Sequence, residues 1–292
     1  MANYSISICI PTFNRAELLY KLIESIYIQI DEKSSNLIQI CISDNASTDD
    51  TEFMVKEWQK KKLNIIYSKN DTNIGPDLNY LKAASLAEGE YCWLMGSDDQ
   101  LRSDAIYLIL KEIETSYDIY LCNRIECTKD MAPLQEKKWL RGNITNSTFD
   151  FQYDKSQKEY FDHSVSLGAV FSYLSCIIVK REKWNSIQYD NKYTGTAYSH
   201  VFILLSILNN NGQLKYINDS LVLCRGDNDS FIGQGGLNRH LIDYNGYLML
   251  ANEFYSNNKT LKKSFLKILA RVKKLRNIIY ISLVVTEANK KE

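Results

Sequence analysis

The sequence predicts an α/β fold, with a mostly parallel central sheet flanked by helices and a helical C-terminal tail. Three observations lead there. Short apolar runs alternate with amphipathic stretches through residues 1–122. Those runs are apolar almost without interruption, as strands covered on both faces must be. The chain has 292 residues, enough for one large α/β domain or for a medium domain with an appendage.

The elements follow in order. Ile6–Ile10 is a predicted strand, followed by a helix from about Arg15 to Ile30. Leu37–Ser43 is a second strand, with a helix near Asp50–Lys61, and Asn64–Ser68 a third, with a helix across Asp77–Ala87. Tyr91–Met95 leads to a helix near Ser103–Thr115, and Tyr117–Cys122 closes the rhythm. Residues 124–165 are polar, contain Pro133 and Gly142, and read as a long surface excursion of the kind that forms lids or partner-binding insertions. Beyond it, Ser175–Lys180 reads as a strand and Thr196–Leu208 as a helix, with two further strands at Leu214–Ile217 and Ser220–Cys224. Arg225–Gly236 is a polar, Gly-rich loop, and Asn238–Tyr255 and Thr260–Val285 read as helices.

Composition excludes several classes. Lys+Arg and Asp+Glu are 35 each, so a global polyanion-binding surface is excluded and no nucleic-acid partner is expected. Three His and no CxxC pair argue against structural zinc. Seven scattered Cys make no disulfide framework, and Cys9, Cys41 and Cys92 sit in apolar runs, as buried thiols do in a reducing compartment. The N-terminus has no charged segment ahead of an apolar one, so no signal peptide is expected. No stretch reaches the roughly 18 apolar residues that span a bilayer. The expectation is a protein of the cytoplasm, peripheral on the inner face of the plasma membrane.

The tail supports that placement. Residues 259–292 hold ten Lys/Arg against two Glu, a net +8, which leaves −8 on residues 1–258. Apolar residues recur at 261, 265, 268, 269, 272, 275 and 279, so the tail reads as a basic amphipathic helix. Such a helix docks on an anionic membrane or packs its apolar face on the body.

In an open parallel sheet, ligands bind beyond the carboxyl ends of the strands. The four loops there are polar: Pro11–Arg15, Asp44–Asp50, Asn70–Asn79 and Gly96–Asp99. The first lacks the GxGxxG of a dinucleotide site, and no GxxxxGK[ST] phosphate loop occurs. A nucleotide site without a glycine cradle remains. Adjacent Asp98 and Asp99 suit a hard divalent cation bridging diphosphate oxygens, or else cap the following helix. Capping is the better account of Asp49 and Asp50.

Taken together, these segments carry a resemblance. Ile8-Cys-Ile-Pro-Thr-Phe-Asn-Arg15 resembles the opening of the family 2 glycosyltransferases, and Asp44-Asn-Ala-Ser-Thr-Asp-Asp-Thr51 is similar to that family's second motif. Asn73-x-Gly75 with Asn79, Ala87-Glu-Gly-Glu-Tyr91 and Gly96-Ser-Asp-Asp99 complete the order, and Ser175–Trp184 resembles the segment ahead of the acceptor region. The resemblance covers roughly residues 5–230. The stretch Gly89–Asp99 also resembles bacterial O-antigen dideoxyhexosyl transferases of the abequosyltransferase type.

The resemblance implies a GT-A fold over residues 1–236, with a nucleotide-binding half (1–122) and an acceptor-side half (123–236), and a helical extension over 237–292. It implies a nucleotide-diphospho-sugar donor, with CDP slightly favoured, a divalent cation (Mg or Mn), and a glycan acceptor, lipid-linked, in surface-polysaccharide synthesis. Pro11, Thr12, Asn14 and Arg15 would line the nucleotide pocket with Asn45, Gly75, Asn79 and Ser97. Asp44 would bond the base or ribose, and Asp98 and Asp99 would stand near ribose and metal. Many members have Asp where Gly96 stands. Arg225 would meet the diphosphate as the loop holding Asn228 and Ser230 closes.

Inverting members place a carboxylate about a hundred residues after the metal motif. Here Gly195–His200 offers only His200, 102 residues after Asp98, as a base or a metal ligand. Asp162 and Asp190 stand in reserve, and without a base a retaining front-face route is the alternative. The rival readings are a nucleotidyltransferase and a catalytically inactive nucleotide- or glycan-binding module.

Overall fold

Seven consecutive buried residues make β1 (Ile6–Thr12), and seven more make β2 (Ile38–Asp44). Their few polar side chains are buried too, Ser7 Oγ donating to Gln39 Oε1 at 2.5 Å and Ser43 Oγ to Asn79 Oδ1 at 2.7 Å, so both strands lie inside a covered sheet. The computed structural model describes residues 4–61, 63–142, 144, 147–226 and 236–272. In chain order the elements are β1, α1 (Ala16–Tyr27), β2, α2 (Thr51–Gln59), β3 (Asn64–Lys69), α3 (Pro76–Ser85), β4 (Tyr91–Leu94), β5 (Gln100–Leu101) and α4 (Ala105–Ile113). They continue as β6 (Ile119–Cys127), β7 (Pro133–Lys137), β8 (Thr148–Asp150), α5 (Asp154–His163), β9 (Ile177–Lys180), α6 (Arg181–Ser186), α7 (Ser199–Asn209), β10 (Gln213–Cys224), α8 (Gly236–Tyr255) and α9 (Lys259–Val272).

The sheet runs β3-β2-β1-β4-β9-β6-β10-β5. β3, β2, β1 and β4 are parallel, with Ile6 opposite both Ile38 and Tyr91 and Asp44 opposite Thr12 and Lys69. β9 inserts antiparallel between β4 and β6, and β10 then runs parallel to β6. This parallel block brings the loops after β1, β2, β3 and β4 to one edge. Helices cover the sheet through stripes such as Leu19, Leu22, Ile23 and Ile26 of α1, spaced three and four apart.

Three expectations need correction. Residues 124–165 are no surface excursion: β6 runs on to Cys127, β7 pairs with it, β8 pairs with β10, and α5 follows. Trp139, Leu140, Phe149, Phe151, Tyr160 and Phe161 from this region are all core residues. The two late strands are one, β10, with a register shift between Ile217 and Ser220. Asn123 Nδ2 donates to the Asn218 carbonyl at 2.8 Å inside that irregularity, so the bulge keeps its polar group satisfied.

The third correction concerns the tail. The apolar stripe of α9, Leu261, Phe265, Ile268 and Leu269, is buried in the main core. Arg271 donates to the Phe161 and Ser164 carbonyls at the end of α5, which ties α9 to that helix. Over these described residues the apolar face is therefore spent on the body, the second of the two placements the sequence left open. Lys259, Lys263 and Lys267 remain exposed. Apolar positions 275 and 279, and the basic residues after 272, lie outside the described residues.

Candidate active site

At the end of β2, Asp44 is fully buried. Its Oδ1 accepts from the Ser47 amide at 2.8 Å and its Oδ2 from the Tyr67 hydroxyl at 2.5 Å. β3 supplies Tyr67 because Ile42 pairs with that position, which leaves the hydroxyl level with the end of β2. Beside Asp44 lies a knot of amides. Asn45 Nδ2 donates to Asn73 Oδ1 at 2.8 Å, and Asn45 Oδ1 accepts from Asn70 Nδ2 at 3.1 Å and from the Ile74 amide at 2.8 Å. Asn79 Oδ1 accepts from Ser43 Oγ at 2.7 Å, and its Nδ2 donates to the carbonyls of Ser43 and Thr12. Gly75, at φ 84°, turns the chain into α3.

The first loop is locked onto the second. Asn14, left-handed at φ 50°, donates its amide to Ser47 Oγ and accepts from the Thr48 amide, each at 2.8 Å. Asp49 accepts from the amides of Ala16 and Thr51, so it caps the first turns of both α1 and α2. Pro11 and Thr12 are buried at the end of β1, and Thr12 Oγ1 has no partner among the described residues.

Asp98 and Asp99 do not cap a helix. Asp99 is 5% exposed. Its Oδ2 accepts from the Tyr173 hydroxyl at 2.6 Å and from Ser175 Oγ at 2.5 Å, and its Oδ1 from the Arg225 amide at 3.3 Å. Burial first, and the neighbouring Asp98 charge second, push its pKa up to about 6. Asp98 pairs with Arg15 at 3.2 Å. Arg225 also donates Nε to the Asp98 carbonyl at 3.0 Å and Nη1 to the Lys129 carbonyl, while its buried Nη2 has no partner among the described residues. Ser97, which precedes them in the chain, is buried. A side chain at Gly96 would begin 3.1 Å from Asp98 Oδ1 and 3.3 Å from Asp99 Oδ2, so the missing family carboxylate would have joined this pair.

The residues expected around a donor therefore meet at one sheet edge, and Arg225 arrives there from β10. His200 does not join them. It is 4% exposed within α7, its Nε2 bonds the Phe171 carbonyl at 2.9 Å, and its ring lies edge-on to Tyr80. Among the described residues no three His, Cys, Asp or Glu side chains converge on a metal position, so Asp98, Asp99 and His200 do not form one shell. Asp162 pairs with Lys158 and Asp190 with Lys192 on the surface. Asn228 and Ser230 lie outside the described residues.

Sequence reasoning missed the residues that grip the acids. Tyr67 and Tyr173 carried no signal, and Ser175 was legible only as the start of a strand and of the family-like segment that ends at Trp184. Asp77 was legible as polar but not as a latch. It accepts from the amides of Gly195 and Ala197 at 2.8 and 3.2 Å and from Ser199 Oγ at 2.9 Å, and so fixes the segment leading into α7.

The donor set fits a divalent cation of the Mg or Mn class. Such an ion takes one or two protein carboxylates and completes its shell from phosphate oxygens and water. Two crowded carboxylates, one pushed toward protonation, are the electrostatic condition that it relieves.

A mostly parallel sheet with a buried acid beside a part-exposed one, flanking arginines and an amide-lined strand edge is the frame of a GT-A sugar transferase. Residues 7–185 match the glycosyl transferase family 2 domain, and the chain belongs to that family. It is therefore an enzyme, a glycosyltransferase. Among relatives, it is 46% identical over 270 residues to abequosyltransferase RfbV of Salmonella typhimurium, covering 91% of this chain and 80% of that one. It is 27% identical over 190 residues to the GalNAc(5)-diNAcBac-PP-undecaprenol beta-1,3-glucosyltransferase of Campylobacter jejuni, covering 65% and 57% of the two chains. Solved structures show the same fold. S. aureus TarS 1–349 in complex with UDP-GlcNAc superposes with a TM-score of 0.65 at 16% identity, over 91% of this chain and 72% of that chain. Mannosyltransferase PcManGT from Pyrobaculum calidifontis, in complex with GDP-Man and Mn2+, gives 0.58 at 14%, over 98% and 81%.

Proposed function

We propose that this glycosyltransferase moves a dideoxyhexosyl residue of the abequose type from a CDP-linked donor to a hydroxyl of a lipid-linked glycan in bacterial O-antigen synthesis. The observation that carries this is the 46% identity to the abequosyltransferase over 91% of the chain. The amide knot around Asn45 and Asn79 forms the floor on which base and ribose lie, with Asp44 held behind it by Tyr67. Asp98 and Asp99 would hold the divalent cation, which when bound neutralises charge on the departing diphosphate. Arg15 and Arg225 bring positive charge to the same place, and Arg suits it because its planar fork meets two phosphate oxygens.

The acceptor enters from the other half. A cavity of about 340 Å³ is lined by Gly195, Thr196, Leu241, Ile242 and Asn245, among others. Asp77, in the first turn of α3, holds its Gly195 side. Among the described residues no helix is long and apolar enough to cross a membrane. The exposed lysines of α9 give an electrostatic means of staying near a lipid-linked acceptor on the inner face of the plasma membrane, without insertion.

The test is a donor panel. Purified protein with Mn2+ is given CDP-abequose, UDP-glucose, UDP-GlcNAc or GDP-mannose and a lipid-linked oligosaccharide, and the product is read by mass. Transfer confined to CDP-abequose is the expected result; transfer from one of the other donors in preference to it overturns the donor assignment.

A further inference from the structure

Three consecutive carbonyls of one short segment are each held by a side chain from a different helix. The segment is a tight turn, Leu167–Val170, that ends at Phe171 in the left-handed region at φ 69°. Tyr160 of α5 donates to the Ala169 carbonyl, Tyr247 of α8 to the Val170 carbonyl at 2.8 Å, and His200 of α7 to the Phe171 carbonyl at 2.9 Å. A carbonyl only accepts, so His200 Nε2 carries the proton. Nδ1 is then a buried acceptor with no partner among the described residues. Burial lowers the His200 pKa, and the ring stays neutral.

The chain leaving Phe171 goes directly to the acid pair. Tyr173 and Ser175 both end on Asp99 Oδ2, and Ser175 Oγ also accepts the Gly96 amide at 2.9 Å. The Ser175 carbonyl accepts the Trp93 indole N–H at 2.9 Å, and Trp139 packs against Gly168 at the start of the segment.

We propose that His200 is a positioning residue: by fixing the Phe171 carbonyl it sets the turn that aims Tyr173 and Ser175 at Asp99. It holds the acid in place for the nucleotide and takes no proton from the acceptor. A base would have to offer a lone pair to the acceptor hydroxyl. Nε2 is committed as a donor, and Nδ1 is closed inside the protein. The inference rests on the reading of Asp98 and Asp99 as the donor site.

The test compares His200→Ala, His200→Gln and Asp99→Asn by calorimetry with Mn2+ and CDP, or with whichever of UDP, dTDP and GDP the wild type binds most tightly. The indole N–H resonances of the four tryptophans are followed in the same samples. Removing a group that orients a ligand-holding side chain typically costs about 10–100-fold in affinity. His200→Ala is expected to weaken nucleotide binding by that factor and to shift the Trp93 and Trp139 resonances, leaving Trp58 in place. His200→Gln, whose amide can donate to the same carbonyl, restores most of the affinity and both resonances. If both His200 variants bind nucleotide normally but lose turnover by about 10²–10⁴-fold, His200 is a general base and the proposal is overturned. A Trp58 resonance that moves with the others means general loss of structure and also overturns it. If Asp99→Asn weakens binding and His200→Ala does not, this proposal falls alone; if Asp99→Asn binds normally, the donor-site reading falls and takes this one with it.

Discussion

Asp99→Asn is expected to make the protein more stable while removing its activity. The native carboxyl has a pKa near 6 against an ordinary value of 3.8, because it is buried beside Asp98. About two units at 1.36 kcal/mol each put the cost of ionising it in the fold on the order of 3 kcal/mol at neutral pH. An Asn oxygen still accepts from Tyr173 and Ser175, but its amide faces the Arg225 N–H, at a loss of about 1 kcal/mol. A net gain of roughly 2 kcal/mol corresponds to a rise of about 3–4 °C in Tm for a chain of this length. The sign with pH follows from the raised value. The folded state binds the proton more tightly than the unfolded one, so wild-type stability falls as pH rises from about 4 through about 6 and levels off above it. The variant lacks this fall. Thermal melts from pH 4.5 to 8, in chelator and without nucleotide, should show the two proteins converging at the acid end and separating toward neutrality. A gap that is absent at pH 7.5, or that opens on the acid side instead, would refute the reasoning.

Gly168→Ala should be destabilising by about 1–3 kcal/mol or more, because its Cβ would lie 2.2 Å from Trp139 Cζ3, on a buried ring whose N–H is tied to the Cys122 carbonyl at 2.7 Å; an unchanged Tm would contradict the packing described. Asp77→Ala should leave the Gly195 and Ala197 amides without their acceptor, raise their hydrogen-exchange rates at least about tenfold, and raise the acceptor KM more than the donor KM. Equal changes in the two KM values would remove Asp77 from the acceptor side.

Much of the parallel block from β1 to β4 was legible in the sequence, for a physical reason. Strands covered on both faces are mostly apolar, and the polar loops after them then stand out at the sheet edge. Residues 124–165 defeated the same reasoning. Trp139, Phe149 and Tyr160 reach the core singly from a polar chain, and a strand of three residues or a helix such as DKSQKEYFDH shows no usable period. His200 was legible as a candidate and misleading as to its role. Its partner is a backbone carbonyl 29 residues away, and no side chain in the sequence marks that position. The choice for Asp98 and Asp99 between cap and site likewise turned on Tyr173 and Ser175, more than 70 residues downstream.

The knot of amides at the ends of β1, β2 and β3 has a consequence for ionic strength. Asn45, Asn70, Asn73 and Asn79 hold one another through uncharged groups, with Lys82 touching Asn70 from the rim. Added salt has little there to screen. Asp44 beside them is fully buried, where salt screens little, whereas Arg15, Asp98 and Arg225 meet around Asp99 after β4 as partly exposed charges, whose fields fade over about 8–10 Å at moderate salt. If the donor lies as proposed, electrolyte should loosen the grip on its diphosphate while leaving discrimination among nucleobases intact, so that a salt series separates the two without a single mutation.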